Sequence, residues 1–198
     1  VFSPGDIAAA RGALSAAGAP DRLALWAMME TPLAILNARD IAATARTIRY
    51  PLTVFIMGTN DLAKETRGAL VAGRAPMLAA LSLTVLAARA YGIDVVDGVY
   101  NAFQDSDGFR VECAGGRDLG MDGKTLIHPA QVGPCNAVFS PAEAEISWAR
   151  RIIAAFDEPS NAGKGAISIE GRLVELLHRD MARRLVAIAE AIGGRGKA

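Results

Sequence analysis

Histidine and cysteine are nearly absent from the chain, with two of each in 198 residues. Cys113 and Cys135 lie far apart and form no Cys-x-x-Cys pair, so neither a disulfide framework nor a zinc knuckle is indicated. His128 and His178 alone are too few for a histidine-based metal centre. Net charge is missing as well: 21 basic residues balance 21 acidic ones. No basic face or tail of the kind that neutralises phosphates stands out, so nucleic acid is not an expected partner. Nor is a membrane. The longest apolar run, residues 77–88, includes Ser82 and Thr84 and stops at Arg89, whereas a bilayer span needs roughly 20 such residues. With no signal-peptide pattern, the expectation is a soluble protein of a reducing, cytoplasmic compartment. A Walker loop, a dinucleotide-binding glycine fingerprint and a Ser-His-Asp order are all lacking.

Apolar residues, in contrast, make up 52% of the chain, ample for a packed core. They fall into short runs that alternate with helical patterns. Ser3-Pro4-Gly5-Asp6 has the form of a helix start, with a capping residue, a proline and an acid in the first turn. Residues 23–29 form a continuous apolar run of strand length, as expected for a strand covered on both faces. Residues 52–57, 93–96 and 124–127 are read as three further strands, with helices opening at Thr31-Pro32, Pro76 and Ser106. Strand–helix units in succession argue for parallel pairing through helical crossovers. Beyond them, Ser140-Pro141-Ala142-Glu143 is read as a capping box opening a helix. Residues 158–165 are read as a linker. Leu173, Leu176, Leu177, Leu185, Ile188 and Ile192 stripe a last helix that Gly193-Gly194 should stop.

In parallel α/β architectures, ligands bind outside the carboxyl ends of the strands. The polar residues predicted there are Glu30, then Asn60 and Asp61, then Asp97, then His128. Two carboxylates at the tips of adjacent strands, Glu30 and Asp61, can converge on one hard divalent cation, with substrate oxygens and water completing its shell. The alternative is that each only caps the helix that follows it. Lys124 and His128 taken singly are ambiguous, since a histidine before a proline at a strand end is commonly a packed loop residue.

Four segments together carry a resemblance: Met29-Glu30-Thr31-Pro32, Gly58-Thr59-Asn60-Asp61-Leu62, Asp97-Gly98-Val99-Tyr100, and the long run from Gly120 through Lys124 and His128-Pro129 to Gln131. The sequence resembles the citrate lyase beta-subunit-like, HpcH/HpaI aldolase family of CoA ester lyases, which includes malyl-CoA and citramalyl-CoA lyases. The resemblance implies a (β/α)₈ TIM barrel of the phosphoenolpyruvate/pyruvate type. It implies Mg²⁺ held by Glu30 and Asp61, and an acyl-CoA pocket formed by Asn60, Asp97, Gly98, Tyr100, Lys124, His128 and Pro129. It implies a homo-oligomer in which a C-terminal segment reaches a neighbour's site with Glu170 as catalytic acid/base; Glu170 stands where the family usually has aspartate. Only four strands are read here, against the roughly 250 residues of a whole barrel. The chain, which begins at Val1, is accordingly read as a fragment: the second half of the barrel over residues 1–139, a closing helix over 140–157, and a linker with a helical extension over 158–198. The implied activity is Mg²⁺-dependent retro-Claisen cleavage of a 3-hydroxyacyl-CoA of the malyl, citramalyl or citryl type. One alternative is a (3S)-malyl-CoA thioesterase, whose branch Asn60-Asp61-Leu62-Ala63-Lys64 resembles. Another is a non-catalytic fragment.

Overall fold

The computed structural model describes residues 1–195 and divides into two compact units, Val1–Phe139 and Ser140–Ala198. The last three residues of the expected C-terminal extension lie outside the described residues. Among the described residues, no helix is long and apolar enough to cross a membrane.

The first unit is an α/β assembly on a four-stranded parallel sheet of order β1-β2-β3-β4. Helix α1 (Pro4–Ala16) precedes β1 (Leu25–Met29), and α2 (Pro32–Leu36) and α3 (Ala38–Ala43) follow it. Next come β2 (Leu52–Met57), α4 (Thr59–Thr66), a 3-10 turn (Ala72–Met77) and α5 (Leu78–Tyr91). The unit ends with β3 (Asp94–Asp97), α6 (Ser106–Asp118), β4 (Gly123–Lys124) and α7 (Val132–Phe139). At the start of α1, Asp6 accepts hydrogen bonds from the Phe2 and Ser3 N–H groups at 2.6 and 2.9 Å. Those bonds hold its carboxyl below the usual range.

Register sorts the strand residues onto two faces. Ala27, Phe55 and Val95 lie side by side, as do Met29 and Met57. All five are buried, in one core with Ile41 of α3 and with Leu81 and Ala88 of α5. The opposite face carries Trp26 and Met28, which are 63% and 38% exposed. The expectation that residues 23–29 are covered on both faces is therefore corrected: the described residues bury one face only. The fourth strand is also shorter than the 124–127 read from sequence. It ends at Lys124 because the Ile127 N–H turns to the Gln131 side chain, at 3.0 Å, instead of extending the ladder. Cys113 and Cys135 are free thiols buried in a small cluster with Phe109. Burial pushes the Cys113 thiol up to about 12.

A buried charge cluster ties the sheet to its helices. Asp97, at the end of β3, accepts both carboxylate bonds from Arg74 Nη1, at 2.7 and 2.8 Å, and a third contact from Lys124 Nζ at 3.2 Å. Lys124 also donates to Glu112 of α6 at 2.7 Å. The Asp97 and Lys124 side chains are fully shielded from solvent. Arg74 reaches this position from a left-handed backbone conformation, φ 54°, which costs about 1 kcal/mol for a residue with a side chain.

The second unit departs more from the sequence reading. Helix α8 (Glu143–Asp157) starts two residues later than the capping box implied, because Glu145 accepts from the Ala142 N–H at 2.8 Å. The stretch read as a linker includes a 3-10 turn, Pro159–Asn161, tied back by Asn161 to the Ala155 carbonyl at 2.8 Å. Residues read as the start of the last helix form a hairpin, β5 (Ala166–Ile169) and β6 (Arg172–Glu175), turning at Glu170-Gly171 with φ of 50° and 77°. Positive φ at both turn positions matches the right-handed strand twist. Helix α9 (Leu176–Arg195) begins only after that, and Gly193-Gly194 do not stop it within the described residues. Ala149, Ile152 and Phe156 of α8 pack with Ile167, Val174 and Ala182. Leu173, Leu177 and Met181 stay exposed.

Removing one partner from a buried ion cluster leaves uncompensated charge. Asp97→Asn should lower the unfolding free energy by about 3–5 kcal/mol, read as a shift of the urea midpoint at constant slope. A loss under about 1 kcal/mol would show that the cluster is not a stabilising tie.

Candidate active site at the carboxyl ends of the strands

Glu30 and Asp61 come to the same edge of the sheet because β1 and β2 are adjacent and parallel. The Gly58 N–H donates to the carbonyl of Met29, the last residue of β1, at 3.1 Å, extending the ladder one residue beyond β2. This sets Glu30 directly against Gly58: a Cβ at position 58 would lie 2.4 Å from Glu30 Cβ and 2.9 Å from its Oε2. A glycine is required there for close approach. Asp61 follows in the first turn of α4, exposed.

Neither carboxylate serves as a helix cap. Thr31 caps α2 with its own hydroxyl, accepting from the Ala34 N–H at 3.1 Å. The N–H that an acid in Asp61's position would ordinarily take, that of Gly58, is spent on Met29. Among the described residues, neither Glu30 nor Asp61 has a hydrogen-bond or ion-pair partner. Two unpaired carboxylates at one strand edge are a donor set that suits Mg²⁺, which takes one or two carboxylates and keeps several waters. No cluster of three or more His, Cys, Asp or Glu that could hold a metal occurs among the described residues. The residues present therefore fit a hard, largely hydrated cation and not a zinc-type centre.

The remaining residues expected in an acyl-CoA pocket separate into different surroundings. Asp97 and Lys124 are interior members of the charge cluster and do not face an open pocket. A strand-tip Asp and a lysine in a polar motif read as exposed, but their neutralising partners, Arg74 and Glu112, bury them. Gly98 packs onto α4, where a Cβ would lie 2.3 Å from Thr59 Oγ1. Asn60 exchanges two hydrogen bonds with Asn101, at 3.1 and 2.8 Å. Tyr100 borders a cavity of about 320 Å³ together with Thr59, Met77, Asn101 and Glu112. Its hydroxyl donates to Asp105 at 2.7 Å, and that bond to a carboxylate raises the phenol to about 12. His128 stacks on Phe103 with centroids 4.9 Å apart, and its Nδ1 accepts from the Ala130 N–H at 3.2 Å. Pro129 is exposed beside it. In the other unit, Glu170 stands at the hairpin turn with its Oε1 ion-paired to Arg151.

Sequence reasoning took Gln131 only as the end of a pocket-lining segment, without singling it out, and missed Asn101 altogether. Gln131 is 2% exposed, accepts from the Ile127 N–H and donates to the Tyr100 carbonyl at 3.1 Å. It stitches the loop after β4 to the loop after β3. A polar side chain closing the motif run that begins at Gly120 was its only signal.

Residues 7–129 match the family model described as HpcH/HpaI aldolase/citrate lyase. The chain belongs to that family. It is 55% identical over 177 residues to the (3S)-malyl-CoA thioesterase of Cereibacter sphaeroides, covering 89% of this chain and 60% of that protein. It is 43% identical over 108 residues to the L-malyl-CoA/beta-methylmalyl-CoA lyase of the same organism, covering 54% of this chain and 34% of that one. Among solved structures, the CitE protein of Mycobacterium tuberculosis, crystallised with magnesium, acetoacetate and coenzyme A, superposes with a TM-score of 0.69 at 27% identity, over 84% of this chain and 61% of that one. The chain thus spans about 60% of the length of the thioesterases it matches. These findings correct the activity read from sequence. The longer and more identical match is to a thioester hydrolase, so the carbon–carbon lyase reading gives way. Family membership and the α/β parallel sheet stand.

The Tyr100–Asp105 bond has a direct optical test. Ultraviolet titration should show one phenol ionising near pH 12, and Asp105→Asn should return it toward about 10. Because the folded value lies above the unfolded one, the stabilisation linked to this group is complete below about pH 10 and fades as pH rises through about 12. An unchanged titration in Asp105→Asn would remove Asp105 as the cause.

Proposed function

We propose that this chain carries the cation-holding part of a hydrolase acting on the thioester of (3S)-malyl-CoA or a closely similar 3-hydroxyacyl-CoA. The observation that carries this reading is the 55% identity over 177 residues to proteins of that activity. The unpaired carboxylates at the strand edge support it.

In this reading Glu30 and Asp61 hold Mg²⁺. When bound, the cation supplies a Lewis acid that neutralises charge on substrate oxygens. Gly58 keeps the space Glu30 needs. Hydrolysis adds the oxygen of water to the thioester carbonyl carbon and breaks the carbon–sulfur bond; the departing sulfur takes a proton as free CoA, and malate remains. The proton lost by the attacking water needs a carboxylate acceptor. Glu170 is proposed for that role, since its exposed side chain at a hairpin apex commits only one oxygen to Arg151. Tyr100, with its hydroxyl engaged by Asp105, serves as a neutral wall of the pocket.

We also read the first unit as the second half of a (β/α)₈ barrel and the second as an extension that packs on a neighbouring copy. Trp26 and Met28 lie exposed on a face that a closed barrel would cover. β1 and β4 each leave one edge unpaired in the sheet. Leu173, Leu177 and Met181 offer an apolar surface in the second unit.

Incubating the full-length protein with (3S)-malyl-CoA should release free CoA thiol and malate in equal amounts, without glyoxylate. Formation of acetyl-CoA and glyoxylate at a comparable rate would overturn the assignment.

A further inference from the structure

The turn that carries Asp61 has no side-chain cap. The residue in the capping position is Gly58, whose N–H belongs to the β1–β2 ladder. What holds the turn instead is Asn60, one residue before Asp61. Its amide forms a closed, two-bond pair with the amide of Asn101, 41 positions later, with Asn60 Nδ2 donating at 3.1 Å and Asn101 Nδ2 donating at 2.8 Å. Each side chain offers one donor and one acceptor to the other, so both bonds are made together or lost together.

Asn101 is itself fixed. The Gly98 N–H donates to Asp97 Oδ1 at 2.8 Å, at the foot of the loop. The Tyr100 carbonyl accepts from the buried Gln131 at 3.1 Å. Gly98 lies against Thr59, the first residue of α4, with no room for a Cβ. The loop after β3 is therefore tied to the sheet interior at one end and to the β4 loop near the other. It presents the Asn101 amide to the turn of α4 from a rigid base.

We propose that Asn101 and Asn60 are a positioning pair for the cation site: by clasping the first turn of α4 they hold the Asp61 carboxylate in the place where it ligates the metal with Glu30. This rests on the reading of Glu30 and Asp61 as the cation ligands. Groups that orient a metal ligand without touching the metal commonly change affinity by about 10–100-fold when removed. Both asparagines are exposed, so their truncation leaves the core intact.

The test is Mn²⁺ binding to the full-length protein, followed by calorimetry or by the electron paramagnetic signal of free Mn²⁺, in Asn60→Ala, Asn101→Ala and the double variant, with thermal midpoints measured alongside. Each single change should weaken Mn²⁺ binding about tenfold with little change in midpoint. The double variant should be no worse than the weaker single one, because one closed pair is lost in every case. Asn101→Ser serves as a second probe of the same bond. Unchanged affinity in both single variants, or losses that simply add, would overturn the clasp. Asp61→Asn separates the two ideas: if it abolishes binding while the asparagine variants bind normally, only the clasp fails. If Asp61→Asn binds as the parent does, the cation site itself is wrong and the clasp falls with it.

Discussion

One backbone hydrogen bond, from the Gly58 N–H to the Met29 carbonyl, governs the candidate site. It carries the β1–β2 ladder past the last strand residues, so the chain segments that leave the two strands start from a shared register. Glu30 then stands against the only residue type that leaves it room. The same bond occupies the N–H that Asp61 would otherwise take as a helix-capping acid. A parallel register thereby does two things: it brings two carboxylates to one edge and leaves both unpaired. Carboxylates without a protein partner at one strand edge are the kind of oxygen donor that a hard divalent cation takes.

The second constraint lies beneath this edge. Asp97 is taken fully out of water, which is costly unless geometry and hydrogen bonding compensate. Arg74, Lys124 and the Gly98 N–H together satisfy it, with Glu112 balancing the lysine. The charges of the cluster are two positive and two negative, so burial leaves no net charge. The result is a rigid floor under the loops after β3 and β4, and the first of these loops meets the turn that carries Asp61 through the Asn60–Asn101 pair. Asp97 and Lys124, whose types suggest chemistry, are here interior members of that cluster.

How much was legible in the sequence follows from the range of each interaction. The strands 25–29 and 52–57 announce themselves as predominantly apolar runs, and the polar residues just past them mark the edge. The same local signal misled where burial is decided by distant partners. Arg74 precedes Asp97 by 23 positions, and nothing near Asp97 shows that it is enclosed. The Asn60–Asn101 pair spans 41 positions and is equally invisible to pattern reading. Leu173 shares helical spacing with Leu176 and Leu177, which do open α9, yet it lies in β6, because the Glu170-Gly171 turn folds residues 166–175 into a hairpin and turn chemistry outweighs periodicity over so short a stretch. Activity was the least legible. The motif residues leave carbon–carbon cleavage and thioester hydrolysis both open, and the similarity that favours hydrolysis is spread over 177 residues.

The central proposal for the site is that two carboxylates, Glu30 and Asp61, share one cation. Anomalous diffraction from crystals of the full-length protein grown with Mn²⁺ addresses this directly. The prediction is one strong peak within about 2.2 Å of carboxylate oxygens from both Glu30 and Asp61, with waters completing an octahedron. A peak elsewhere, or Glu30 and Asp61 each turned into hydrogen bonds with the protein, would contradict it.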